Sequence, residues 1–174
     1  MSEFNFEVAG GSTVRLKTAG KYCDRDIVVK SSNSDTSGDN KFKQLVDRTI
    51  TEVVAEDLAG VTMLGVNAFY GCDKLKTLII PEGITVIAQW AVRNCTSLTN
   101  ITIPSSVVRI EGAYTFGNCR NLAEVNFRGK TTIEGNAFGM CDNLAIINVP
   151  WSEGEVANAP WGATNATINY NSEV

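Results

Sequence analysis

Residues 137–150 read AFGMCDNLAIINVP, and three earlier stretches repeat the same text: FYGCDKLKTLIIP (69–81), VRNCTSLTNITIP (92–104) and FGNCRNLAEVNFR (116–128). Each carries Cys-x-x-Leu, an apolar residue three positions after the leucine, and another two further on. The triplets are Leu75/Leu78/Ile80, Leu98/Ile101/Ile103, Leu122/Val125/Phe127 and Leu144/Ile147/Val149. The cysteines stand 23, 24 and 22 residues apart, and Pro81, Pro104 and Pro150 close three of the four copies. A second apolar position, Leu64, Ile87, Ile110 and Ile133, recurs ahead of each cysteine. One extra residue falls near Tyr114, and one is missing around Arg128-Gly129-Lys130.

A period of this length with Leu-x-x-Φ-x-Φ is the mark of a solenoid. The alternation Φ-x-Φ predicts a short strand with one face buried. Equivalent strands of successive turns then lie parallel, about 4.8 Å apart. Proline ends each strand where no ladder donor is needed. The Ala-Phe-x-x-Cys stretch suits a helical or 3₁₀ turn on another wall. The fold class expected is therefore an α/β repeat, a short right-handed leucine-rich-repeat solenoid of parallel strands. Its inner column holds Cys72, Cys95, Cys119 and Cys141 beside Leu75, Leu98, Leu122 and Leu144. No single turn can bury its own core, so several must stack.

The pattern resembles the BspA-like class of leucine-rich repeats, and TNITIPSSVVRIEGAYTFGNC (99–119) matches that class nearly word for word. The departures are Val92 in place of an aromatic residue, Arg128 in place of proline, and the insertion near Tyr114. Trp90 is expected to fill the space left by Val92.

Five segments follow. Residues 1–30 form a small β module in which Phe4, Phe6 and Val8, then Val14 and Leu16, then Ile27 to Val29 alternate as strands do, with Gly10-Gly11 as a turn. About 30 residues rarely fold alone, so this unit is expected to dock on a larger assembly, and Phe4, Phe6, Val8, Ile27 and Val29 are its candidate anchor. Residues 31–40, SSNSDTSGDN, read as a flexible linker. Residues 41–64 cap the solenoid as a short helix or degenerate repeat, with Val53, Val54, Leu58 and Val61 facing in. Repeats occupy 65–150. Residues 151–174 form a second cap in which Trp151, Trp161 and Tyr170 cover the last turn; the competing reading is an exposed aromatic platform for a carbohydrate.

The chain of 174 residues is 44% hydrophobic and 20% charged with a net charge of −4, which argues against a nucleic-acid footprint. No apolar run reaches the length of a membrane span. The N-terminus has neither a basic start nor an apolar core of a secretory signal. Histidine is absent, removing the commonest general base and zinc ligand. Four equivalent cysteines do not make four active sites, and stacked thiols form a line, whereas zinc wants converging ligands. A disulfide between neighbouring turns fits by spacing but requires the side chains to leave the ladder; buried free thiols suit small inner positions better. Cys23, outside the ladder, is the more reactive candidate. No catalytic set, metal site or cofactor site is expected.

The outward strand positions are the natural binding surface of a solenoid: Thr77/Ile79, Asn100/Thr102, Glu124/Asn126 and Ile146/Asn148. They are polar in the middle copies and carry isoleucine at both ends. TAGKYCDRDIVVK (18–30) is similar to a short module of tailed-bacteriophage structural proteins, and the repeat entry and exit resemble leucine-rich proteins of phages and prophages of gut bacteria. The resemblance implies a virion-associated protein made in a bacterial cytoplasm. Residues 1–30 would hold other virion proteins, and the repeats would decorate the particle or meet a host-surface protein or glycan. A homo-oligomer fits so small an anchor. The alternative is a bacterial adhesion or protein-interaction module without a virion role.

Overall fold

The computed structural model describes residues 6–8, 12–14, 17–18, 21–22, 50–58 and 61–173. Near the N-terminus, β1 (Phe6–Val8) pairs antiparallel with β2 (Ser12–Val14), and β3 (Lys17–Thr18) pairs antiparallel with β4 (Lys21–Tyr22). Phe6 and Val8 stand on β1. Phe4, Ile27, Val29, Cys23, the 31–40 linker and residues 41–49 lie outside the described residues. The solenoid begins at β5 (Glu52–Val53), which β3 joins antiparallel through Lys17 opposite Glu52. Among the described residues of the 41–64 segment, β5 is a front rung and Ala55–Leu58 forms one 3₁₀ turn. Val53, Leu58 and Val61 are buried; Val54 is only half-buried, and its N–H donates to the buried Asp57 carboxylate at 2.8 Å.

Each turn then contributes to three walls. The back wall is a continuous parallel sheet of β6 (Met63–Leu64), β8 (Val86–Ile87), β10 (Arg109–Ile110) and β12 (Thr132–Ile133). The front wall comprises β5 and β7 (Thr77–Leu78), then β9 (Asn100–Ile103), β11 (Glu124–Phe127), β13 (Ile146–Asn148) and β14 (Thr167–Asn169). Turns lie about 23 residues apart. Their strands are short because only two to four residues pass along each wall before the chain must turn. The front rungs continue past residue 150, since β14 pairs with β13, so the C-terminal segment is both a further rung and a cap.

The third wall of this leucine-rich-repeat solenoid carries almost no helix. The stretch before each cysteine folds as consecutive tight turns, and the single 3₁₀ turn is the one helical element among the described residues. Its backbone is nevertheless laddered between turns: Phe69 N–H donates to Ala91 C=O at 2.6 Å, Val92 to Thr115 at 2.9 Å, Phe116 to Ala137 at 2.8 Å and Phe138 to Trp161 at 3.0 Å. A left-handed residue immediately before each cysteine turns the chain inward: Gly71, Asn94, Asn118 and Met140. Glycine and asparagine suit that conformation, while methionine adopts it at a cost.

Cys-x-x-Leu is a tight turn. The N–H groups of Leu75, Leu98, Leu122 and Leu144 donate to the carbonyls of Cys72, Cys95, Cys119 and Cys141 at 3.0–3.1 Å. The leucines are fully buried, and so are the cysteines apart from 5% exposure at Cys141; none of the four is in a disulfide. Each of the last three thiols donates to a carbonyl of the preceding turn: Cys95 Sγ to Phe69 at 3.2 Å, Cys119 Sγ to Val92 at 3.1 Å and Cys141 Sγ to Phe116 at 3.1 Å. Burial pushes the Cys95 thiol well above its usual range and raises Cys141 to about 12, with the neighbouring Cys119 adding to both. A negative Asp142 acts in the same direction on Cys141. These groups are inert hydrogen-bonding filler rather than nucleophiles.

At the C-terminal end Phe127, Trp151 and Trp161 form one aromatic cluster, with Phe127 5.3 Å from Trp151 and 6.5 Å from Trp161. Trp151 and Trp161 are buried and Tyr170 half-buried, so these residues cap the core and offer no platform.

Leu98→Ala and Leu122→Ala each leave a mid-column cavity and should cost about 2–5 kcal/mol, read as a lowered midpoint in thermal melts. The raised thiols give a second expectation. Below pH 9.0 both folded and unfolded thiols hold their protons; above it only the unfolded chain releases them, until the folded Cys141 ionises near about 12. Stability should therefore fall by about 1.4 kcal/mol per pH unit for each such thiol across that window. Urea titrations under reducing conditions check this, and Cys141→Ser should show a shallower decline.

Candidate functional site

The eight outward positions read from the sequence lie on the front wall, two per rung. Thr77, Ile79, Asn100 and Ile146 are exposed, and Thr102, Glu124, Asn126 and Asn148 are half-buried. Ile79 and Ile146 expose 46% and 39% of their surface, so the face is apolar near both ends. Register aligns Glu52 with Thr77, and separately Asn100, Glu124, Ile146 and Thr167 in successive equivalent positions.

Side chains link the C-terminal half of this face. Asn148 Nδ2 donates to Asn126 Oδ1 at 2.7 Å and to Glu124 Oε1 at 3.2 Å, and Asn169 Nδ2 donates to Asn148 Oδ1 at 2.8 Å. Each amide has one acceptor and two donors, so identical residues stacked at the rung spacing satisfy one another. This pins the side chains and stiffens the surface. The sequence shows Asn126 and Asn148 as equivalents; Asn169 escapes notice because no cysteine marks its turn.

The N-terminal half differs. The front wall is broken: β7 belongs to the sheet of β3, β4 and β5, while β9 begins the sheet running to β14, and no backbone hydrogen bond joins β7 to β9. The back wall and the turn wall stay laddered across the same level, through β6–β8 and through Phe69 to Ala91. The solenoid is thus opened on one side only. The N–H groups of Thr77 and Ile79 donate towards β5, to Thr51 at 3.3 Å and Val53 at 2.9 Å. Strand alternation therefore turns the Leu78 N–H and C=O towards β9.

The opening is a cleft of about 450 Å3 lined by residues 76–80, 99–102, Pro104 and Arg128. Its floor is apolar, built from Leu78, Ile80 and Ile101, each 5% exposed or less. Lys76 stands at the end where the strands start and Arg128 at the end where they stop. Arg128 occupies the position that proline takes in the other copies, and the substitution has two effects. Its N–H donates to Ile103 C=O at 2.9 Å, a bond that proline cannot make, so a ladder donor is used here after all. Its side chain also reaches the cleft. Sequence reasoning marked Arg128 as a departure but missed Lys76 and the break, because the apolar pattern of both rungs is regular.

Trp90 does not fill the core beside Val92. Val92 is fully buried by itself, whereas Trp90 is half-buried and lines a separate hollow on the turn wall with Asn67, Tyr70 and Arg93.

No curated protein matches the chain. Two solved structures are similar. The leucine-rich repeat protein TpLRR of T. pallidum is 24% identical, with 74% of this chain and 66% of that chain covered and a TM-score of 0.45. A leucine-rich repeat protein from Bacteroides ovatus is 19% identical, with 83% of this chain and 39% of that chain covered and a TM-score of 0.42. The chain therefore spans less than two thirds of the length of either. The BspA type leucine-rich repeat region matches residues 36–159 in six copies, and the chain belongs to that family.

Proposed function

We propose that this chain is a non-enzymatic protein-interaction module whose front wall takes an extended segment of a partner protein at the break between β7 and β9. One observation carries the reading: two strand edges face a cleft without bonding to each other. An unpaired edge is a template for another strand, with main-chain bonds supplying affinity and side-chain pockets supplying selectivity. The apolar floor at Leu78, Ile80 and Ile101 takes alternate apolar side chains of the guest. Lys76 and Arg128 favour a guest with an acidic residue towards each end. The amide-stacked half of the face, from Asn126 to Asn169, is a rigid continuation of the surface for the rest of the partner.

The finer reading is that the module is displayed on a phage particle, held there through residues 1–30. Its support is the similarity of TAGKYCDRDIVVK to a phage structural module and the linker-like text that follows. A bacterial adhesion role without a virion uses the same front wall. Mass spectrometry of purified particles from a host carrying the gene separates the two, since a chain missing from the particles refutes the virion reading and leaves the module intact.

For the cleft itself, display selection of random 12-residue peptides on the full chain should enrich sequences with alternating apolar residues and acidic ends. The double substitution Lys76→Glu with Arg128→Glu should weaken the selected peptides about tenfold while leaving the melting curve unchanged. Amide chemical-shift changes should cluster at residues 76–80 and 99–104. Selected peptides that ignore the double substitution and perturb other residues would sink the assignment.

A further inference from the structure

The hollow on the turn wall has chemistry of its own. Its volume is about 280 Å3, and Asn67, Tyr70, Trp90 and Arg93 line it. Ligand pockets start near ~300 Å3, so this one suits a single ring-sized unit. Two aromatic side chains border it, the guanidinium is its one formal charge, and no carboxylate lines it. Arg93 Nε is buried without a hydrogen-bond partner.

The surrounding structure holds Arg93 in place. Its guanidinium carbon lies 5.3 Å from the centre of the Tyr114 ring. That ring in turn rests over Gly117 and Gly139, where a Cβ would come within 2.6 and 2.5 Å of tyrosine atoms. Trp90 and Tyr114 occupy the same place in successive turns, and both have positive φ, 61° and 59°. Bulky residues rarely adopt that conformation, and such strain concentrates where a side chain serves a purpose beyond packing. The equivalent residue one turn earlier is Asn67, also left-handed at 63°, which asparagine tolerates. Nothing in the core requires aromatic rings here, since Trp90 and Tyr114 are only half-buried.

We propose that this hollow binds a carboxylated sugar residue, the hexuronate unit of an acidic polysaccharide. A pyranose is apolar on its faces and polar around its rim. It stacks on Trp90 and Tyr70, presents hydroxyls to Asn67, and places its carboxylate on the accessible edge of the Arg93 guanidinium. An aspartate or glutamate side chain of a peptide would satisfy the guanidinium but leave the aromatic borders wet. A phosphate group would satisfy the guanidinium but has no apolar face to lay on the aromatic borders. The site lies on a different wall from the cleft and is independent of the peptide reading.

The test uses the full chain and a galacturonate tetrasaccharide, with its neutral methyl ester as control, followed by calorimetry and tryptophan emission. Trp151 and Trp161 are buried, so a change in emission reports Trp90. The acid should bind saturably with an emission change and the ester at least about tenfold more weakly. Arg93→Gln should reduce acid binding to the level of the ester. Trp90→Asn places in this turn the residue that Asn67 provides in the preceding one; it should keep the melting curve and abolish binding. Lys76→Glu with Arg128→Glu should leave sugar binding unchanged. The assignment is overturned by absence of saturable binding, by equal affinity for acid and ester, by undiminished binding in Arg93→Gln, or by a tetraglutamate peptide binding as tightly as the sugar acid.

Discussion

A thiol donating to the carbonyl one turn earlier is the interaction that sets the geometry of the stack. The turn wall is neither helix nor strand, so its inward carbonyls at Val92 and Phe116 lack the partners that regular structure provides. A buried carbonyl without a donor costs free energy comparable to a lost hydrogen bond. Cys119 and Cys141 supply that donor from a side chain small enough to sit among Phe69, Phe116 and Phe138. The phenylalanines need this room: Phe116 and Phe138 stack at 5.3 Å between ring centres. Once the thiol is fixed, the Cys-x-x-Leu turn places the leucine in the core and starts the front strand. Each turn is thus positioned by the turn before it, which is why the unit repeats and why it must be stacked to exist.

Three inter-turn ladders hold a solenoid more firmly than two, and this one loses the third at a single level. The front wall opens between β7 and β9 while the other walls stay bonded. β3 lies along β5, and Trp151 and Trp161 pack together near the C-terminal end. The break is a place on the front wall where main-chain groups meet a cavity. The chain makes two kinds of surface from one repeat. Amide stacking from Asn126 to Asn169 gives a rigid face, and the wedge at Leu78 gives an opening. On the turn wall Trp90 and Arg93 line a separate hollow, and Arg93 lies over the Tyr114 ring.

The repeating text made the inner column, the parallel rungs and the outward pairs Thr77/Ile79 to Ile146/Asn148 legible, because inward and outward alternation is a local property of a strand. It misled at Trp90, where a large apolar residue beside a small one suggested compensation in the core. Backbone sign decided otherwise: with a left-handed φ, the side chain of Trp90 turns away from Val92 onto the surface. It misled again over the helical wall, since Ala-Phe-x-x-Cys is compatible with a helix until the preceding-turn carbonyls are counted. Lys76 and Arg128 could not be joined from sequence, because they stand on rungs separated by an intervening one and meet only across the cleft.

The sequence by itself determined the period, the residues that face inward, the membership of one repeating unit and the absence of histidine chemistry. These depend on spacing and residue type, which the chain states directly. Tertiary structure alone decided where the ladder breaks, that the thiols bond backward to the preceding turn, that Trp151 and Trp161 cap while Trp90 is displayed, and that Arg93 has a buried donor without an acceptor. Those facts depend on distances between turns. Successive turns are some 23 residues apart along the chain but only about 4.8 Å apart in space, so a small change in stacking moves whole walls while leaving the repeating text unaltered.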